Sequence, residues 1–278
     1  MLMKPPADKR IKRLWPESLA EQAPQLARDR ARAVHLLEDA LLRDDLADSA
    51  VYFSELGRWR SCTGNSRLAA GEAEGMVDLE AFACFDMLPT IINRVLHCAD
   101  CGALAHVIVT GHLALARPSL EVLAARVRAG DADEPFEALV LEVGARLGLV
   151  EAAVPARLLG LYAEPLDALA DDARLAALLP GLCDEHLRRS SLATTIVAWF
   201  NVDYDLVPIE LALLDHLRRV KHGLPALPAA QHPLLATPFA EVPHERRFEP
   251  TRDDRPDLWE MFVELARAKR PELDLTGA

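Results

Sequence analysis

Aromatic side chains are scarce in this chain: Phe, Trp and Tyr together make up 5% of its 278 residues. That scarcity argues against two functional classes. A carbocation cradle needs several converging rings, and a single-strand nucleic-acid groove needs rings interleaved with Lys and Arg. The sequence also has no glycine-rich phosphate loop, no GxSxG elbow, no HExxH and no dinucleotide fingerprint. Strand-period alternation never persists beyond a few residues, so β architecture is not expected. The uncharged, strongly apolar run from Cys101 to Ala116 falls short of the ~20 residues that a bilayer span requires. The opening MLMKPPADKRIKRLW is charged and lacks the apolar core of a secretion signal. Five cysteines, an odd number scattered through helix-like sequence, fit free thiols in a reducing cytoplasm.

What is abundant is Leu, Ala and Val, within a composition that is 51% hydrophobic and 27% charged. These proportions describe a globular chain long enough to bury a sizeable core, and Ala and Leu favour helix. The net charge is −12 and unevenly spread. Residues 1–32 hold eight Lys and Arg against four acids, which leaves about −16 on the remainder. A field of that sign repels nucleic acid and anionic membrane and attracts basic surfaces.

The apolar spacing predicts an all-α, multi-helix bundle of stacked helical hairpins. A polar lead-in over 1–24 precedes a single helical domain over 25–278, with a possible sub-division near 130. Pro24, Pro89, Pro118 and Pro208 read as helix starts, and Gly130, Gly148 and Gly223 as stops. A helix from Leu46 carrying Tyr52, Leu56 and Trp59 is expected to end at the turn-like SCTGNS of 61–66. The segment 101–116, apolar nearly all round, belongs at the centre. Further helices are expected over 154–163, 165–179, 181–199 and 257–269. Seven prolines over 224–256 exclude a helix there. Leu224, Leu227, Leu234, Leu235 and Phe239 make that stretch too apolar for a free linker, so an extended arm over the helical body is expected.

Three clusters carry possible chemistry. Asp44, Asp45 and Asp48 would share one flank of a helix and could hold magnesium against a diphosphate. Their spelling resembles the aspartate-rich motif of class I terpene and prenyl synthases. A second metal motif is represented only by Asn201-Val202-Asp203-Tyr204-Asp205, which lacks the expected Ser or Thr spacing before Glu210. The plainer account of the first cluster is helix capping. Cys98 and Cys101 supply half a zinc site, without a second ligand pair at a suitable spacing. Cys183, Asp184, Glu185 and His186 form a polar knot that could contain a Cys–His pair or a Glu185–Arg188/Arg189 ion pair. Asp215-His216 reads as a surface or capping pair. No cofactor is expected.

The segments LPGLCDEHLRRSS (179–191), VPIELALLDHLRR (207–219) and GLPALPAAQHPLL (223–235) give a helix, a proline-started helix and a proline-laced arm. In this order they resemble bacterial immunity proteins. The resemblance implies a cytoplasmic helical protein that binds and neutralises a cognate toxin. A basic toxin domain would be steered onto an acidic inhibitor. The surface expected to take it is Asp39, Asp44, Asp45, Asp48 and Glu55, with Tyr52 and Trp59 as anchors. A helical metal-dependent enzyme built on the aspartates, and a scaffold or adaptor, are the competing classes.

Overall fold

The computed structural model describes residues 7–16, 19–97, 100–192, 204–252 and 255–275, and every regular element among them is helical. In chain order the helices are α1 (Lys9–Leu14), α2 (Leu19–Leu42), α3 (Leu46–Ala69), α4 (Gly75–Asn93), α5 (Cys101–Thr110) and α6 (Leu113–Ala129). They continue as α7 (Pro135–Arg146), α8 (Ala156–Leu159), α9 (Ala163–Asp167), α10 (Asp172–Leu192), α11 (Ile209–His222) and α12 (Pro256–Lys269). One continuous apolar core runs from Ile11 to Leu275.

Two helices occupy the middle. Every residue of α5 is buried, as its all-round apolar sequence requires. Gly111, at φ 84°, ends α5, and a new helix starts at Leu113, so the segment 101–116 is two elements rather than one. The second central helix is α4, buried over most of its circumference and packed between α3 on one side and α5 and α6 on others. Its interior Pro89 does not open it, nor do Pro24 and Pro118 open α2 and α6; all three sit inside helices. An interior proline costs about 3 kcal/mol. Around Pro89 the burial of Leu88, Ile91 and Ile92 offsets that cost.

The clearest departure from local expectation is α3, which runs unbroken through SCTGNS to Ala69. The hydroxyls that suggested a turn bond backwards along the helix instead. Ser61 Oγ donates to the Arg58 carbonyl at 2.9 Å and Thr63 Oγ1 to that of Trp59 at 3.0 Å. The glycines allow α3 and α4 to approach closely. A Cβ at Gly64 would stand 2.6 Å from the Gly75 carbonyl oxygen, and one at Gly75 would stand 2.4 Å from that of Gly64. The small residues of this stretch therefore form a contact seam, and packing overrides turn propensity.

The N-terminal stretch expected as a polar lead-in contributes to the core. Asp8 caps α1 by accepting from the Arg10 backbone N–H at 2.8 Å, and Ile11 is fully buried where α1 packs on α10. Trp15 meets Phe239 edge-on, ring centroids 5.5 Å apart. Three stretches read from the sequence have different bounds. Residues 156–167 form two short helices joined by a 3-10 turn. The next helix, α10, spans 172–192 with Pro180 inside it. The part of the expected 181–199 helix beyond Leu192 lies outside the described residues. By contrast α7, α11 and α12 start and stop close to their expected signals.

After α11 the chain holds two 3-10 turns, Pro233–Ala236 and Pro250–Arg252, and buries Leu234, Phe239, Val242 and Phe248. Among the described residues no helix is long and apolar enough to cross a membrane.

If the α3–α4 seam depends on absent side chains, Gly64→Ala will destabilise the protein even though alanine is the better helix former. The expected loss is about 1–3 kcal/mol, read by urea denaturation. An unchanged or raised midpoint would show that the seam tolerates a methyl group.

Candidate functional site

The expected acidic surface is the hairpin of α2 and α3. Residues 38–55 hold six carboxylates against one arginine, Arg43. The connection is tight: Asp44 adopts φ 55°, a left-handed conformation that aspartate tolerates, and its carbonyl accepts from Lys269 Nζ. Asp45 caps α3, its Oδ1 accepting from the Asp48 backbone N–H at 3.0 Å. The aspartate cluster is therefore divided between a turn, a cap and a surface position. Arg43 lies between Asp39 at 3.4 Å and Asp48 at 3.8 Å. Glu55 faces Arg58 at 3.7 Å. Among the described residues no group of three or more His, Cys, Asp or Glu is arranged to hold a metal ion. Residues 201–203 of the second aspartate motif lie outside the described residues.

Two large aliphatic side chains stand exposed on this hairpin, Leu42 at 77% and Val51 at 41%. Neither was singled out in the sequence, because nothing in a helical pattern marks which isolated aliphatic side chain stays uncovered. Tyr52 is half-buried against the core. Trp59 is also half-buried, and its ring is engaged internally: the Arg30 and Arg60 guanidinium carbons lie 5.2 and 5.0 Å from its centroid.

Two of the thiol candidates, Cys101 and Cys183, are buried. Cys101 is fully buried at the start of α5, and Cys98 lies outside the described residues. Burial and the nearby Glu210 push the Cys183 thiol up to about 12, so thiolate is suppressed at neutral pH. Its neighbour His186 is pinned rather than free to act as a base. His186 Nδ1 lies 2.9 Å from Glu210 and Nε2 lies 3.1 Å from the Asp205 carbonyl oxygen. The Asp205 carbonyl can only accept, so Nε2 donates, and the Glu210 carboxyl beside Nδ1 favours the protonated imidazole. The expected Glu185 pairing is present with both arginines, and these bonds hold its carboxyl down at about 2.

Two further acid–imidazole pairs were not legible locally. Glu80, buried in α4, accepts from His112 Nε2 at 2.7 Å and from the Arg247 backbone N–H at 3.0 Å. The second is Asp215, which is not the surface or capping residue that its sequence suggests. It is buried and accepts from the Leu227 backbone N–H at 2.6 Å, from His244 Nε2 at 2.7 Å and from Arg219 at 2.8 Å. Burial by itself would raise its pKa, but these donors hold it below the usual carboxylate value. Its neighbour His216 stacks on His244, centroids 5.7 Å apart, and burial with that imidazole drives His216 down to about 4. The only local signal for these pairs is an acid among apolar residues, as Glu80 in LEAF and Asp215 in LALLDHL.

Together these groups tie down the proline-rich segment. Arg218 on α11 donates to the Pro225 carbonyl at 2.9 Å, Asp215 holds Leu227 and His244, and Glu80 holds Arg247. A cleft of about 420 Å³ remains between this segment and α10 and α11, and one of about 370 Å³ beside the α3–α4 turn. In the first, Asp215, Arg219 and His244 are already paired with one another. Comparison of the chain with protein-family models, with curated proteins and with solved structures finds no match.

The His186 cation makes a pH prediction. Burial lowers its pKa, but the Glu210 carboxylate and the Asp205 carbonyl more than offset that, so the folded value lies above the free value. Its stabilisation is therefore complete below the unfolded pKa and is lost as pH rises through the folded one. Thermal midpoints should fall as pH rises from about 6 into the alkaline range. His186→Gln should remove that slope and cost roughly 3 kcal/mol at the acid end. An identical pH slope in the variant would mean that His186 is neutral in the fold.

Proposed function

We propose that the chain is a protein-binding module whose α2–α3 hairpin docks on a basic protein. One observation carries this reading: exposed Leu42 and Val51 stand at the tip of the hairpin, where residues 38–55 hold six carboxylates and one arginine. An apolar spot on an acidic surface suits a partner that presents aliphatic side chains among Lys and Arg. The charges steer the encounter, and apolar contact holds the complex. The Cys84 and Cys183 thiols are buried and shifted away from thiolate, and His186 is pinned by Glu210. The likeness of the C-terminal third to bacterial immunity proteins makes a toxin domain the class of partner. Covering the basic cleft of such a domain with the acidic hairpin would neutralise it.

The test needs the partner as a purified protein, obtained by capture on the immobilised chain from its native host. Association should slow several-fold between roughly 0.05 and 0.5 M salt, because rim charges act chiefly on the on-rate. The triple variant D39K/D48K/E55K should slow it about tenfold or more at low salt. Its thermal midpoint should match the parent, since all three side chains are about half exposed. Equal association rates for parent and variant would place the docking surface elsewhere.

A further inference from the structure

The proline-rich segment is fastened differently at its ends and along its middle. At one end Arg218, a permanent cation, donates to the Pro225 carbonyl at 2.9 Å; at the other, Glu80 accepts from the Arg247 backbone N–H at 3.0 Å. Between them the fastenings are imidazoles. His232 stands at the head of the 3-10 turn Pro233–Ala236. Its Nδ1 accepts from the Leu234 backbone N–H at 3.1 Å, and its Nε2 lies 3.4 Å from Asp184 of α10. His244 donates through Nε2 to Asp215 of α11 at 2.7 Å and lies parallel to His216 of the same helix, ring planes 10° apart. Under this stretch is the cleft of about 420 Å³, walled by Leu179 and Leu211 from the helices and by Leu227, Leu235 and Val242 from the segment.

Each of the three rings is set for its neutral form. A nitrogen that accepts carries a lone pair, so Nδ1 of His232 holds no proton. Adding one would set two N–H groups against each other and remove the cap on Leu234. With Nε2 of His244 already donating, a second proton must sit on its Nδ1, which is buried without a partner among the described residues; so is Nδ1 of His216. A proton there is a buried donor with no acceptor. Charging both rings would also stack two cations with centroids 5.7 Å apart. The neighbouring carboxylates are already answered: Asp184 by Arg10 at 2.8 Å, and Asp215 by Arg219 and the Leu227 N–H. Glu241, on the rim of the cleft, is exposed to solvent.

We propose that residues 227–244 form an acid-released strap: protonating His216, His232 and His244 lifts it from α10 and α11 and opens the apolar cleft beneath. Burial and the adjoining His244 hold His216 down at about 4, against 6.5 when free. The closed strap therefore binds fewer protons than the open one. Closure is complete above about 6.5 and is lost progressively as pH falls towards about 4. His186 responds with the opposite sign. It joins α10 to Glu210 of α11, its folded value is raised, and its contribution is complete in acid, so the helices under the strap stay together. The strap needs neither the acidic hairpin nor a basic partner.

Hydrogen exchange on the full chain, from about pH 7 to about pH 4.5 and corrected for the intrinsic pH dependence of amide exchange, tests the strap. Peptides carrying Leu227 and Leu234 should lose protection by up to about tenfold per pH unit for each proton taken up. Those from α10 and α11 should stay protected. His232→Asn keeps an acceptor for the Leu234 N–H, and His244→Gln keeps a donor to Asp215, but neither replacement takes up a proton. Each variant should retain the parent's protection at about pH 7 and lose part of its pH slope, H232N at Leu234 and H244Q at Leu227. Strap protection that does not change over this range overturns the proposal. So does a slope that both variants leave intact, or one that is flat only because the strap is already open at neutral pH. Loss of protection that reaches α10 and α11 at the same pH overturns it as well.

Discussion

A carboxylate inside a helical core must be answered by a donor, and here the answering donors come from distant parts of the chain. Asp78 on α4 takes Arg60 and Arg67 from α3 at 2.9 and 2.6 Å. Glu80 takes His112 and the backbone of Arg247, Glu210 takes His186, and Asp215 takes Leu227, His244 and Arg219. Such pairs add little net stability compared with apolar residues of the same volume, because desolvation cancels most of the attraction. Removing one partner is different, since it strands a buried charge. The pairs therefore select one arrangement of helices: α4 can face α3 in only one register if Asp78 is to meet both arginines. The proline-rich segment, which has little hydrogen-bonded structure of its own, has its position set by Asp215 and Glu80.

That dependence explains which parts of the fold were legible in the sequence. Elements bounded by local chemistry were readable: the Pro208 start and Gly223 stop of α11, the Gly130 stop of α6, and the Glu134-Pro135 entry to α7, where Glu134 and Glu137 form a capping box. Elements decided by a distant neighbour were not. SCTGNS is a turn by propensity and a helix in the fold, because its small residues face α4 across the Gly64–Gly75 contact. Pro89 would stop an isolated helix, yet α4 is buried among three others and continues through it.

The candidate site divides in the same way. The placement of Asp39, Asp48 and Glu55 on an exposed flank followed from helical spacing, and so did the capping role of Asp45. Tyr52 and Trp59 do share α3 with the acids, but the face of Trp59 is covered by Arg30 and Arg60, one of them from α2. Asp215 and His216 gave no local sign of burial, because their surroundings come from residues 227 and 244. Leu42 and Val51 were invisible for the opposite reason: nothing covers them, and a sequence does not mark where a partner helix is absent.

The chain thus sorts its charge into two uses. Buried ionisable groups fix the fold, and exposed ones make the tip of the α2–α3 hairpin acidic. The central claim is that the hairpin, rather than the clefts beneath the proline-rich segment, meets the basic partner. A hydrogen-exchange footprint of the isolated complex tests this most directly, because it reads every segment at once. The account predicts slowed exchange in peptides spanning 38–59, with 224–248 unchanged. Protection concentrated in 224–248, with 38–59 exchanging as in the free chain, would contradict it.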